Sequence, residues 1–273
     1  MNIGPIGVFD SGFGGLTILK DLQKKLPQYN YLYLGDNARA PYGNRSYNTV
    51  FDYTWQCTQF LLAQQCPLII LACNTASAKA LRTIQQKYIL PTITNNRVLG
   101  VIRPTAQTIA SYSTSGHIGI LATQGTVQSQ SYIIEIKNFS PATKVYQQAC
   151  PMLVPLIENN EHNSQGANYF IQKYVTQLMA QQPLIDVILL GCTHYPLIEN
   201  KIAALVPSHV KIISQGSIIA NSLATYLQNH INLQNCITQN KNTQFFTTDS
   251  MIDFDNKAPL FYGQPVTSQH VSL

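Results

Sequence analysis

The chain of 273 residues is short of charge. Lys, Arg, Asp and Glu make up 11% of it, against about 25% in a typical soluble protein. Amides supply the missing polarity, with 26 Gln and 21 Asn. The basic side chains are scattered, Lys24-Lys25 being the one adjacent pair, so no basic stripe marks a nucleic-acid face and no nucleic-acid partner is expected. A net charge of +5 suits a small anionic substrate without requiring one. Long apolar runs are missing too. Stretches such as 68–73 and 187–190 fall far short of the roughly 18 residues that span a bilayer, so no membrane partner is expected. Residues 1–6 have neither the basic nor the apolar segment of a secretory leader, and the chain reads as cytoplasmic. The cysteines at 57, 66, 73, 150, 192 and 236 contain no C-x-x-C pair and match no zinc spacing. They are expected as thiols in a reducing compartment. No metal and no cofactor is expected.

What is present excludes a disordered chain: 45% of residues are apolar and 10% aromatic. The length corresponds to roughly two domains. Short apolar runs end in small or polar residues and lead into helical patterns. Ile6-Gly7-Val8-Phe9 ends at Asp10-Ser11-Gly12, followed by helical spacing through Leu16, Leu19, Leu22 and Leu26. Tyr31-Leu32-Tyr33-Leu34 ends at Gly35-Asp36. Leu68-Ile69-Ile70-Leu71 ends at Ala72-Cys73-Asn74, and 76–86 reads as helix. His117-Ile118-Gly119-Ile120-Leu121 ends at Ala122-Thr123, and Val187-Ile188-Leu189-Leu190 ends at Gly191-Cys192-Thr193-His194. Continuous apolar strands alternating with helices predict an α/β fold with mainly parallel sheets covered on both faces.

The chain also echoes itself. The segment from Gly7 to Gly12 resembles that from Gly119 to Gln124, and Leu71-Ala72-Cys73-Asn74-Thr75 resembles Leu190-Gly191-Cys192-Thr193-His194. Two similar α/β halves facing each other would put Cys73 and Cys192 on opposite walls of one cleft. In open α/β sheets ligands sit beyond the carboxyl ends of the strands. Asp10, Ser11, Cys73, Asn74, Thr75, Thr123, Cys192, Thr193 and His194 all fall there. A thiol beside helix N-termini is expected to have a lowered pKa and to serve as base or nucleophile. Most free cysteines simply pack as small apolar side chains, and Cys57, Cys66, Cys150 and Cys236 are read that way. Asp10-Ser11-Gly12-Phe13-Gly14-Gly15 lacks the Lys-Ser/Thr of a P-loop and the third glycine of a dinucleotide fingerprint. Its glycines are expected to let backbone N–H groups approach a carboxylate. His194 is positioned to tune Cys192. Glu158, one of four glutamates, follows an apolar run and is a candidate for the same cleft.

The blocks Phe9-Asp10-Ser11-Gly12-Phe13-Gly14-Gly15-Leu16-Thr17, Gly35-Asp36, Pro41-Tyr42-Gly43, Ala72-Cys73-Asn74-Thr75-Ala76 and Leu190-Gly191-Cys192-Thr193-His194-Tyr195-Pro196 resemble bacterial glutamate racemases. They stand in that family's order and, with Phe245-Phe246-Thr247-Thr248, cover most of the chain. The resemblance implies two α/β domains with the active site between them, the second inserted in the first. Residues 1–97 and 211–273 would form the first and 98–210 the second. It implies cofactor-independent interconversion of L- and D-glutamate, supplying D-glutamate for peptidoglycan, by a chain expected to be a homodimer. Cys73 and Cys192 would be the two bases, Asp10 neighbouring the first, Glu158 and His194 the second. Ser11, Pro41, Tyr42, Gly43, Asn74, Thr75, Thr123, Thr126 and Thr193, with Asp10 and His194, would hold the substrate.

The chemistry of the residues is consistent with this. Racemisation removes a proton from one face of Cα and returns one to the other, and two opposed thiols meet that need. Two departures from the family pattern stand out. Arg103 in Val101-Ile102-Arg103-Pro104 replaces a usual Glu, and Ser214 replaces a usual Asp. Neither is catalytic; both bear on the domain interface or oligomer contacts. Three other readings stay open on the sequence. One is a racemase of aspartate or another acidic amino acid. Another is a cysteine hydrolase using Cys192 and His194, which would leave Cys73 without a task. The third is an amino-acid-binding protein that has lost activity, against which the retention of both cysteines speaks.

Overall fold

A computed structural model of the chain describes residues 3–90 and 96–273. Residues 1, 2 and 91–95, which belong to the N-terminal stretch and the first-domain span read above, lie outside the described residues. The strands are β1 (Ile6–Asp10), β2 (Tyr31–Gly35), β3 (Leu68–Leu71), β4 (Arg97–Gly100), β5 (His117–Ala122), β6 (Lys144–Ala149), β7 (Val187–Gly191), β8 (Lys211–Ile213), β9 (Thr243–Thr247) and β10 (Ser268–His270). They form two sheets, in the orders β10-β9-β2-β1-β3-β4 and β6-β5-β7-β8, and every strand pairing is parallel.

The run β2-β1-β3-β4 has the same topology as β6-β5-β7-β8. The sequence echo between β1 and β5, and between β3 and β7, is therefore an echo of position: the central strand and its inner neighbour in each sheet. These central strands are buried along their whole length, which is why they read as unbroken apolar runs. β6 and β10 lie at sheet edges, are partly exposed, and carry polar residues such as Gln147, Gln148 and Gln269. β4 pairs with β3, and β8 with β7. The chain thus leaves the first sheet after residue 100 and the second after residue 213, a few residues beyond the divisions at 97/98 and 210/211. The reason is that Val98-Leu99 and Ile212-Ile213 carry apolar side chains onto a sheet before the chain departs.

The helix Gly15–Lys25 forms where Leu16, Leu19 and Leu22 recur at helical spacing, and all three are buried. It packs against the helices Gly216–Gln228 and Met251–Tyr262 from the C-terminal return. The helix expected over 76–86 is interrupted. It starts at Asn74, is broken at Ala80 (φ −113°), resumes over Leu81–Ile84 and ends in a wider turn, Gln85–Ile89. One continuous apolar cluster runs through both units, from Ile6 and Val8 through Phe13 and Val101 to Ile188 and Leu190. Two further clusters pack on the opposite face of each sheet, one around Phe9, Leu34 and Ile69 and the other around Ile118, Ile120, Val187 and Leu189. Arg103 lies over the ring of Phe139 (5.6 Å), and Ser214 donates to Glu199. No helix among the described residues is long and apolar enough to cross a membrane.

Candidate active site

The polar ends of β1, β3, β5 and β7 converge on a cleft between the two α/β units, with about 480 Å³ of empty space including its open mouth. Asp10 ends β1. Its Oδ2 accepts the N–H of Gly12 at 2.9 Å, while its buried Oδ1 accepts no hydrogen bond among the described residues. Burial raises the Asp10 pKa above the usual carboxylate value, although the nearby His194 opposes the shift.

Cys73 follows β3 and caps the helix Asn74–Lys79. Its Sγ accepts from the N–H of Ala76 at 3.5 Å and donates to Ser11 Oγ at 3.4 Å. The lowered thiol pKa expected from a helix N-terminus is not what the structure gives. Burial pushes the Cys73 thiol up to about 12, and the negative charge of Asp10 adds to the effect. Removal from water here outweighs two long hydrogen bonds.

Cys192 directly follows β7 and stands on the other wall. Its Sγ lies 3.8 Å from His194 Nδ1, and His194 Nε2 lies 2.8 Å from Glu158 Oε1. Glu158 ends the helix Leu153–Glu158, so a carboxylate distant in sequence completes a Glu–His–Cys line. Burial disfavours charge on His194, but Cys192 and Glu158 outweigh it and hold its pKa well above the ordinary imidazole value. Glu158 is not in the cleft wall; it stands behind His194. The glycine loop makes this approach possible. A Cβ on Gly14 would collide with His194 and Thr193, and one on Gly12 would press on Glu158 Oε1. These glycines admit side chains of the opposite wall, and the N–H of Gly12 meets the carboxylate of Asp10.

Ser11, Asn74, Thr75, Thr123 and Thr193 line the space between the thiols. Thr75 Oγ1 and Thr123 Oγ1 meet at 2.9 Å across the two units, and Thr123 donates to Thr126 at 3.0 Å. Thr126 therefore supports Thr123 from outside the wall. Pro41, Tyr42, Gly43 and Asn44 form the rim, and the carbonyl of Gly43 accepts the N–H of Gly125 at 2.8 Å. The Tyr42 hydroxyl turns away from the cleft and donates to Asp36. Asp36 also accepts from Arg39 (2.7 and 2.9 Å) and from Thr248 (2.8 Å). Tyr42 is thus an anchor of the rim.

Five cleft residues escaped sequence reasoning: Asn44, Cys150, Pro151, Val154 and Pro155. Cys150, read as a packing residue, immediately follows β6. Extending the echo from β2 to β6 would have found it, but the polar residues of β6 hid that strand. Among the described residues no three His, Cys, Asp or Glu side chains gather as metal ligands would.

An α/β pair with ionisable groups gathered at matched strand ends has the architecture of an enzyme. Comparison with known proteins specifies which kind. The family model for Asp/Glu/hydantoin racemases matches residues 16–223. The glutamate racemase of Streptococcus thermophilus is 35% identical over 273 residues, covering 100% of this chain and 97% of that protein. A glutamate racemase structure from Bacillus anthracis superposes with a TM-score of 0.90 at 33% identity, covering 100% and 99% of the two chains. The glutamate racemase of Francisella tularensis in complex with D-glutamate gives 0.86 at 31% identity, covering 100% and 98%. The chain belongs to the Asp/Glu/hydantoin racemase family and is an isomerase.

Proposed function

We propose that this racemase interconverts L- and D-glutamate without a cofactor, using Cys73 and Cys192 as paired bases. The observation that carries the reading is the placement of two buried thiols at equivalent strand ends of one cleft, each with its own ionisable neighbours. One thiolate takes the α-proton from one face of Cα, and the opposite thiol delivers its proton to the other face. The two thiols exchange protonation states at each turnover. His194, held by Glu158, stabilises the thiolate of Cys192. On the Cys73 side the substrate ammonium does this work, since its positive charge counters both the burial and the neighbouring Asp10 carboxylate that raise the thiol. Ser11, Asn74, Thr75, Thr123 and Thr193 bind the ammonium and carboxylates, with the Pro41–Tyr42–Gly43 rim closing over them. The two α/β units act as domains that meet at this cleft. The product D-glutamate supplies peptidoglycan synthesis in the cytoplasm, and the working form is a homodimer.

L-Glutamate incubated in deuterated water with the pure protein should lose its circular dichroism and gain deuterium at Cα. Added pyridoxal phosphate or a chelator should change neither. Faster turnover of aspartate would move the substrate to another acidic amino acid, and retained activity in Cys73→Ser would overturn the two-thiol mechanism.

A further inference from the structure

Behind the cleft, three buried side chains close a ring of hydrogen bonds. Asn74 Nδ2 donates to Gln215 Oε1 at 2.9 Å, Gln215 Nε2 donates to the Tyr132 hydroxyl at 2.6 Å, and that hydroxyl donates to Asn74 Oδ1 at 2.7 Å. Gln215 Nε2 also donates to Thr105 Oγ1 at 2.9 Å. None of the four residues is more than 2% exposed. The ring fixes the orientation of both amides, because each oxygen faces a donor and each nitrogen an acceptor. Buried in the low-dielectric interior, its members strengthen one another.

The topology makes this ring a junction. Asn74 directly follows Cys73 and opens the helix of the first wall. Tyr132 lies on the helix Ser131–Phe139 of the second unit. Thr105 lies on the helix Ile102–Ile109, just after the first crossover, and Gln215 lies on the second crossover between β8 and the helix Gly216–Gln228. Both crossovers and the base of the Cys73 wall meet at the Gln215 carboxamide, which bonds to all three partners. Cys73 itself is held by two long contacts, at 3.4 and 3.5 Å, whereas Cys192 has a separate support in His194 and Glu158.

We infer that Gln215 is a positioning residue for the Cys73 half of the reaction, locking Asn74 and thereby the Cys73 turn against the second unit. This rests on the two-thiol racemase reading above. Gln215 does not line the cleft; it acts through Asn74, whose second N–H remains for the space it lines.

The test uses the full-length enzyme and a glutamate carrying chloride on Cβ. Transfer of the Cα proton to a thiolate expels chloride and leaves an enamine. The enamine tautomerises to the imine, which hydrolyses to 2-oxoglutarate and ammonium. One thiol suffices, so the two Cα configurations report the two walls separately. The configuration that Cys73→Ser no longer processes is the one assigned to Cys73. Gln215→Leu keeps the volume and removes every bond of the carboxamide. It should cut Cys73-dependent elimination about 10- to 100-fold and Cys192-dependent elimination less than about 3-fold, as expected for misplacing one reacting group. Tyr132→Phe should give the same asymmetry with a smaller amplitude, and it decides the matter if Gln215→Leu fails to fold by circular dichroism. Equal losses for both configurations, or none for either, would overturn the positioning role. A wild-type enzyme that neither racemises glutamate nor eliminates chloride would instead remove the reading on which the inference rests.

Discussion

Replacing His194 with asparagine keeps a polar side chain beside Cys192 but removes the imidazolium. The magnitude follows from the geometry. Unit charges 3.8 Å apart attract by about 4 kcal/mol at an effective dielectric near 20. Asparagine recovers about 1 kcal/mol of that as a neutral hydrogen bond. The remaining ~3 kcal/mol corresponds to a loss on the order of 10²-fold in proton transfer to Cys192. Mirror-image substrates have equal free energies, so kcat/KM for racemisation must fall equally in both directions. The asymmetry has to be read in a half-reaction, and elimination from a β-chlorinated glutamate provides one. The configuration that Cys192→Ser no longer processes should slow on the order of 10²-fold, the other by less than about 10-fold. Equal and small losses for both would refute the tuning of Cys192 by His194. The same substitution has a signature in stability. His194 binds its proton more tightly in the fold than in the unfolded chain. That stabilisation is complete below an unfolded pKa of about 6.5 and is lost as pH rises through the folded value. The Tm deficit of His194→Asn should be widest near pH 6 and should shrink at alkaline pH.

Cys73→Ser and Cys192→Ser should both fail to racemise, because a serine hydroxyl is essentially un-ionised at neutral pH. Each should still eliminate chloride from one configuration, and the two variants should choose opposite ones; a hydrolase built on Cys192 and His194 predicts no mirror pattern. Asp10→Asn should lower turnover yet raise Tm at pH 8, since burial penalises the ionised carboxylate. The gain should fade as pH falls through the folded pKa and vanish below an unfolded value of about 3.9, and an unchanged Tm at pH 8 would count against a costly buried charge. Tyr42→Phe removes a donor from buried Asp36 and loosens the rim. It should raise KM about 10-fold with kcat nearly unchanged, whereas a matching fall in kcat would mean that the hydroxyl acts on the reacting atoms.

Much of the fold was legible because its central strands are buried on both faces. β1, β3, β5 and β7 have no solvent side, so they read as apolar runs, and the polar residues at their C-terminal ends mark the cleft. The edge strands β6, β8 and β10 were illegible for the opposite reason: they are short or partly exposed, and their residues follow no single period. Cys150 was lost with β6.

Asp10, Cys73, Cys192 and His194 could be singled out by the sequence alone, since each side chain lies within three residues of a strand end and local position suffices to aim it. What long-range packing does to them could not be read. That Glu158 stands behind His194, that burial drives the Cys73 thiol up where a helix N-terminus predicts down, and that Tyr42 turns its hydroxyl to Asp36 are all set by elements distant in sequence. Gln215 stands next to Ser214 in a crossover with no periodic pattern of its own. Its partners are 141, 83 and 110 residues away along the chain. A local pattern specifies which atoms a residue offers, but burial and pairing between remote segments decide which of them are free, charged or spent. Only the tertiary structure supplies both.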